Sequence, residues 1–188
     1  MSEASTRGYR SAGIDWARLL LNRPVGTQEA PRAISLLVQA WRDGVSIAGF
    51  ELGQLYEHGV SGSVEEARAW KWYGDAAAAG DPNALARFAE RSSSAAREEP
   101  DASKRRADLL LAFKYYAAAA ERARHEDWPD DLWMTWRYRR ATLARVLDRE
   151  GMMQQVADVY NEVRDQYARR PRTLRERLVS LFRPWLRP

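Results

Sequence analysis

Few of the side chains that perform covalent or metal chemistry occur in these 188 residues. Cysteine is absent, and His58 and His125 are the two histidines. Without thiols the chain has no disulfide, no thiolate nucleophile and no cysteine-ligated zinc. Two imidazoles do not make a histidine-rich metal site either. His58 stands beside Gly59 in a turn-forming stretch, where a polar residue is expected in any case. His125 belongs to the run Arg124-His125-Glu126-Asp127, which reads as a solvated helix end. No phosphate loop, dinucleotide fingerprint, zinc-protease motif or G-x-S-x-G elbow occurs. Acidic residues are plentiful, but nothing in their spacing makes two of them converge. The expectation is a protein without catalytic residues, metal or cofactor. What remains is recognition, carried by 30 basic residues, 26 acidic residues and eight tryptophans.

Those side chains need a scaffold, and the chain repeats itself at 36 residues. Gly44 and Gly80 are one step apart, as are Thr27 and Ser63, Ala33 and Ala69, and Ala40 and Ala76. The same step relates Ala12, Ala48 and Ala84, and also Ala17, Gly53 and Ala89. Thr27 and Ser63 are of the type that caps a new helix, and Ser63 with Glu66 reads as a capping box. Gly44 and Gly80 can take the left-handed conformation that closes a helix. Asp81-Pro82 then supplies an N-cap followed by proline at the first helical position. Each unit is therefore helix, turn, helix, turn.

Four units follow, at about 10–43, 46–80, 82–124 and 131–168. Their helices are expected near 10–21 and 28–43, 46–58 and 64–79, 82–96 and 104–124, and 131–149 and 152–168. Ser92-Ser93-Ser94 and Glu98-Glu99-Pro100-Asp101 are expected to expand the internal loop of the third unit, so that Tyr73 matches Tyr116 at a step of 43. No segment alternates as a strand does. Alanine runs at 76–79 and 117–120 let helices approach closely, and they also favour helix on propensity alone.

The second unit carries Ala48, Leu52-Gly53, Tyr56 and Gly59, then Ala69, Trp72-Tyr73 and Ala76-Ala77, then Gly80-Asp81-Pro82 and Ala84. This pattern resembles a Sel1-like repeat, a relative of the tetratricopeptide repeat. Leu143-Ala144, Leu147, Gly151, Ala157 and Tyr160 resemble a tetratricopeptide unit. The resemblance implies an all-α fold, a right-handed α-solenoid of about four hairpins. It also implies an adaptor or scaffold that binds another protein in its concave groove. Some bacterial members of the family are immunity or accessory partners of secreted toxins.

In such solenoids the first helix of each hairpin lines the groove. With Ala48, Leu52 and Tyr56 turned to the core, the intervening positions face outward. The candidate partner-binding residues are Asp15, Arg18, Phe50, Glu51, Gln54, Arg87 and Glu90, with Thr142 and Arg145 in the fourth unit. Their mixed charges suit specific recognition of a protein segment; a solvated helix face is the competing reading. Trp70 and Trp72, two apart, cannot share a face, and Trp72 takes the core position. Trp133 and Trp136 fall on one face.

Net charge is +4 and the isoelectric point is about 9.6, but the charge is unevenly placed. Residues 169–188 hold seven arginines and one glutamate, leaving the rest at −2. Leu174, Leu178, Leu181 and Phe182 form the apolar stripe of an amphipathic helix, and Trp185 follows. This basic tail caps the last repeat, lies on an anionic membrane surface or touches phosphates, in that order of preference. No run approaches the roughly 18 apolar residues of a membrane span, and the first residues lack a secretory leader's apolar core. The expected setting is the cytoplasm, with attachment at the inner membrane as the alternative.

Overall fold

The computed structural model describes residues 14–15, 29–59, 63–125 and 130–168. Arg18, the Ser61-Gly62 turn and the tail residues Leu174, Leu178, Leu181, Phe182 and Trp185 lie outside the described residues, as does most of the first expected helix. Ile14 and Asp15 are helical. Seven further helices follow: α1 Glu29–Arg42, α2 Ser46–Glu57, α3 Glu66–Ala78, α4 Pro82–Glu98, α5 Ala102–His125, α6 Asp130–Arg149 and α7 Met153–Ala168. There is no strand among the described residues.

The turns explain where the helices stop. Gly44 and Gly80 have φ of 84° and 88°, and Gly151 repeats the geometry at 74°. In each case the glycine N–H donates three residues back, and the next N–H reaches five back. Val45 thus donates to Ala40, Asp81 to Ala76 and Met152 to Leu147. That double closure satisfies carbonyls the helix end would leave open, and it needs the left-handed conformation glycine adopts at least cost. At the next start, Asp81 accepts from the Ala84 N–H at 2.9 Å and Pro82 follows it.

The Ser63 cap does not form. The N-cap of α3 is Glu65, without a side-chain cap bond. The Glu65 N–H donates to the Tyr56 carbonyl on α2. That bond draws the incoming chain against α2 and delays the helix beyond Ser63.

Consecutive helices pack as a row of hairpins, a solenoid-like arrangement. The core is correspondingly a string of local clusters. Ile14, Leu37, Ala48 and Leu52 form one, and Tyr56, Ala69 and Tyr73 the next. Ala89, Tyr116, the 117–120 alanines and Trp136 form a third, and Phe113, Leu147 and Val156 a fourth. Helix α5 is the hub, packed by α4, α6 and α7, and α7 leans on α5 more than on its hairpin partner α6. Covered on several sides, α5 buries Ala117 to Ala120 without exception, whereas Ala78 and Ala79 of the other alanine run are exposed. Small side chains permit that crowding; alanine in the earlier run serves helix propensity as much as packing.

Both Trp70 and Trp72 are partly buried. They serve opposite neighbours: Trp72 meets Trp41 of α1 edge-on at 6.0 Å, and Trp70 meets Phe88 of α4 at 5.3 Å. A helix between two units has two faces to cover, so residues two apart are both used.

Candidate functional site

The sequence places groove residues on the first helix of each hairpin, and those helices are α2, α4 and α6. A hollow of about 350 Å³ opens between them. Phe50, Gln54 and Glu57 form its α2 wall, at the i, i+4, i+7 spacing of one helix stripe. Asn83, Arg87 and Glu90 line it from α4 with the same spacing, and Leu132 and Trp136 close it from α6.

Four expected residues therefore meet here: Phe50, Gln54, Arg87 and Glu90. The 36-residue step survives in the pairs Phe50/Ala86 and Gln54/Glu90, all of which line the hollow. Glu51 departs from expectation. It is buried, because α2 is flanked by α1 and α3 and touched by α4, which covers more than one stripe of it. Thr142 and Arg145 are exposed but are not among the lining residues. Thr142 donates to the Tyr138 carbonyl of its own helix at 3.1 Å. Ser92 to Ser94 do not widen a loop: they are helical within α4, and the third unit's extra length lies in α4 and α5 themselves, so α6 reaches the hollow about two to three turns earlier than a uniform step implies. Asp15 is exposed.

A ladder of polar contacts pins the walls. Tyr73 of α3 donates to Glu57 at 2.7 Å, and Arg87 donates to the other Glu57 oxygen. Arg87 also donates to Glu90 at 3.2 Å. Arg139 of α6 donates to Glu90 at 3.3 Å and to the Tyr116 hydroxyl of α5 at 2.9 Å. Five helices are thereby joined through five residues beyond Glu90. Charge-assisted hydrogen bonds of this kind are stronger and more directional than neutral ones.

The ladder sets the protonation of its members. Burial alone would raise the Glu57 pKa, but the Tyr73 hydrogen bond and the Arg87 charge outweigh it and hold the carboxyl below its ordinary value. Burial, reinforced by Glu57, pushes the Tyr73 phenol far above the usual range. Burial raises Tyr116 too, against the opposing pull of Arg139.

Glu57, Tyr73, Tyr116 and Arg139 were not among the expected site residues. For Glu57 a signal was present, since it continues the stripe of Phe50 and Gln54 by one turn. For Arg139 none was, because its partners lie 49 and 23 residues away.

Trp133 and Trp136 pack into one core cluster, as their shared face implies; Trp136 is buried and lines the hollow, and Trp133 lines a separate cleft. Among the described residues no group of three or more His, Asp or Glu side chains could hold a metal ion, and no helix is long and apolar enough to cross a membrane. Compared with protein-family models, with curated proteins and with solved structures, the chain matches none. The architecture that stands is an all-α row of helical hairpins of a generic repeat type.

Proposed function

We propose that the protein is a scaffold or adaptor that binds a segment of a partner protein in the hollow between α2, α4 and α6. The observation that carries this reading is the convergence of Phe50, Gln54, Arg87, Glu90 and Leu132 from three successive hairpins on one surface. Its ions are largely matched within the ladder, so specificity rests on shape, on the amides of Gln54 and Asn83, and on apolar contact. Phe50 and Leu132, the latter 37% exposed, give a partner anchors of the kind that dominate interfaces. A hollow of this size holds a few side chains and suits an inserted segment. Such a groove serves an adaptor or a toxin-neutralising partner alike.

The reading is of a binding protein and not of an enzyme. Glu57 stays ionised and Tyr73 stays neutral near pH 7, so the ladder presents a fixed pattern of charge to a partner.

The test is co-purification from the native cell with the double variant Gln54→Arg/Leu132→Asp, against wild type and the exposed control Lys71→Glu. The expected result is selective loss of a stoichiometric partner with the groove variant alone, at unchanged helicity. Retention of every partner by that variant would overturn the proposal.

A further inference from the structure

A second cleft, of about 520 Å³, lies where α5, α6 and α7 meet. Helix α6 lines it with Trp133, Arg137 and Arg140, at i, i+4 and i+7. Helix α7 adds Tyr160 and Arg164, and α5 adds Glu121 and Arg124. Four guanidinium groups thus surround one carboxylate.

That carboxylate is the floor. Glu121 is 8% exposed. It accepts from the Tyr160 hydroxyl at 3.1 Å and from Arg124 at 2.9 Å, and Arg140 stands 3.8 Å away. Glu121 balances one guanidinium and Asp165 stands 3.9 Å from Arg164, so two positive charges remain in excess around the cleft. The excess is local, since residues 1–168 carry 23 basic and 25 acidic groups.

We propose that this cleft docks an acidic segment of a polypeptide, whose carboxylates are received by Arg137, Arg140 and Arg164. Guanidinium groups match carboxylates in planar, two-pronged geometry, and Glu121 already shows a carboxylate held within this arrangement. Nucleic acid fits less well. Single strands rely on bare aromatic faces for stacking, whereas here Arg137 lies over the Trp133 ring at 5.8 Å and Arg140 over Tyr160 at 4.7 Å. A small anion fits less well too, because the cleft stands open along one side and small ligands are usually enclosed. The site uses a different face of α6 from the hollow of the preceding subsection, and it stands or falls independently of that reading.

The test uses the full chain and a fluorescent peptide of about ten residues with Asp or Glu at alternate positions. In extended form such a peptide repeats its carboxylates about every 7 Å. Fluorescence anisotropy is read against the Asn/Gln analogue and against a DNA strand of equal charge. Arg137→Glu/Arg164→Glu is expected to weaken peptide binding at least about tenfold without lowering the melting temperature, and Arg137→Gln/Arg164→Gln to weaken it less. The Asn/Gln analogue should not bind. No binding by wild type would overturn the proposal. So would equal binding by both arginine variants, which would place the peptide on the basic tail, or tighter binding of the DNA through these two arginines.

Discussion

Arg87 on α4 and Glu57 on α2 stand thirty residues apart in sequence and meet in an ion pair at the wall of the hollow. Their side chains are 35% and 26% exposed, so water screens the pair in part. Glu57 nevertheless has both oxygens engaged, one by Arg87 and one by Tyr73. Arg87→Met keeps the aliphatic stem and removes the charge. It is expected to lower unfolding free energy by about 1–2 kcal/mol, measured by urea denaturation. A similar loss should appear for Glu57→Gln.

The same pair predicts an acid dependence. Folding lowers the Glu57 pKa from its ordinary 4.5, so the native state favours the carboxylate. That contribution is complete above pH 4.5 and is lost as pH falls through the lower native value. The stability gap between wild type and Glu57→Gln should therefore be constant near neutrality and narrow below pH 4.5. Urea titrations across that range check it; a gap that widens on acidification would contradict the assignment.

Two glycines should respond oppositely to alanine. A Cβ on Gly53 of α2 would stand 2.4 Å from the Tyr73 ring, so Gly53→Ala must push aside a fully buried aromatic. The overpacking cost of about 1–3 kcal/mol exceeds the helix-propensity gain. A Cβ on Gly74 of α3 meets nothing within 4 Å, so Gly74→Ala keeps only the gain, roughly 0.5–1 kcal/mol of stabilisation. Thermal melts of the two variants should move in opposite directions.

Two of the three expected helix caps separate in the same way, Thr27 lying outside the described residues. Asp81 is buried and bonds the Ala84 N–H at the start of α4, so Asp81→Ala should cost about 0.5–2 kcal/mol. Ser63 is exposed and lies two residues before the N-cap of α3. Ser63→Ala should stay within about 0.5 kcal/mol of wild type. Denaturation midpoints distinguish them directly.

The helices were legible because their punctuation is local. Gly44, Gly80 and Asp81-Pro82 act on neighbouring backbone, and the expected boundaries fall within a few residues of those observed. Ser63 failed because a non-local bond, Glu65 to Tyr56, decides where α3 begins. The stripes that line the hollow were legible on α2 and α4, where the 36-residue step runs without interruption. On α6 they were not: the longer α4 and α5 break the register, and no periodicity restores it. Glu51 failed for a further reason. A stripe argument assigns one buried face per helix, and α2 has neighbours on several sides. The Tyr73, Glu57, Arg87, Glu90, Arg139 and Tyr116 ladder crosses five helices, and only tertiary packing brings its members together.

That ladder also leaves a signature at high pH. Of eight tyrosines, Tyr73 is fully buried and donates to the ionised Glu57, and both effects hold its phenol far above the ordinary 10.0. Tyr116 is raised by burial, less so because Arg139 donates to its oxygen. A phenol with a raised native pKa contributes stability that is full below pH 10 and is lost as pH rises through the native value. Absorbance titration of phenolate should therefore show Tyr73 and Tyr116 ionising late, with alkaline unfolding. Tyr73→Phe should remove one late tyrosine and cost about 1–2 kcal/mol near neutrality, because Glu57 loses a donor. Tyr116→Phe should remove the other at a smaller cost, since Arg139 retains Glu90. Ionisation of all eight tyrosines together near pH 10 in the folded protein would refute this arrangement.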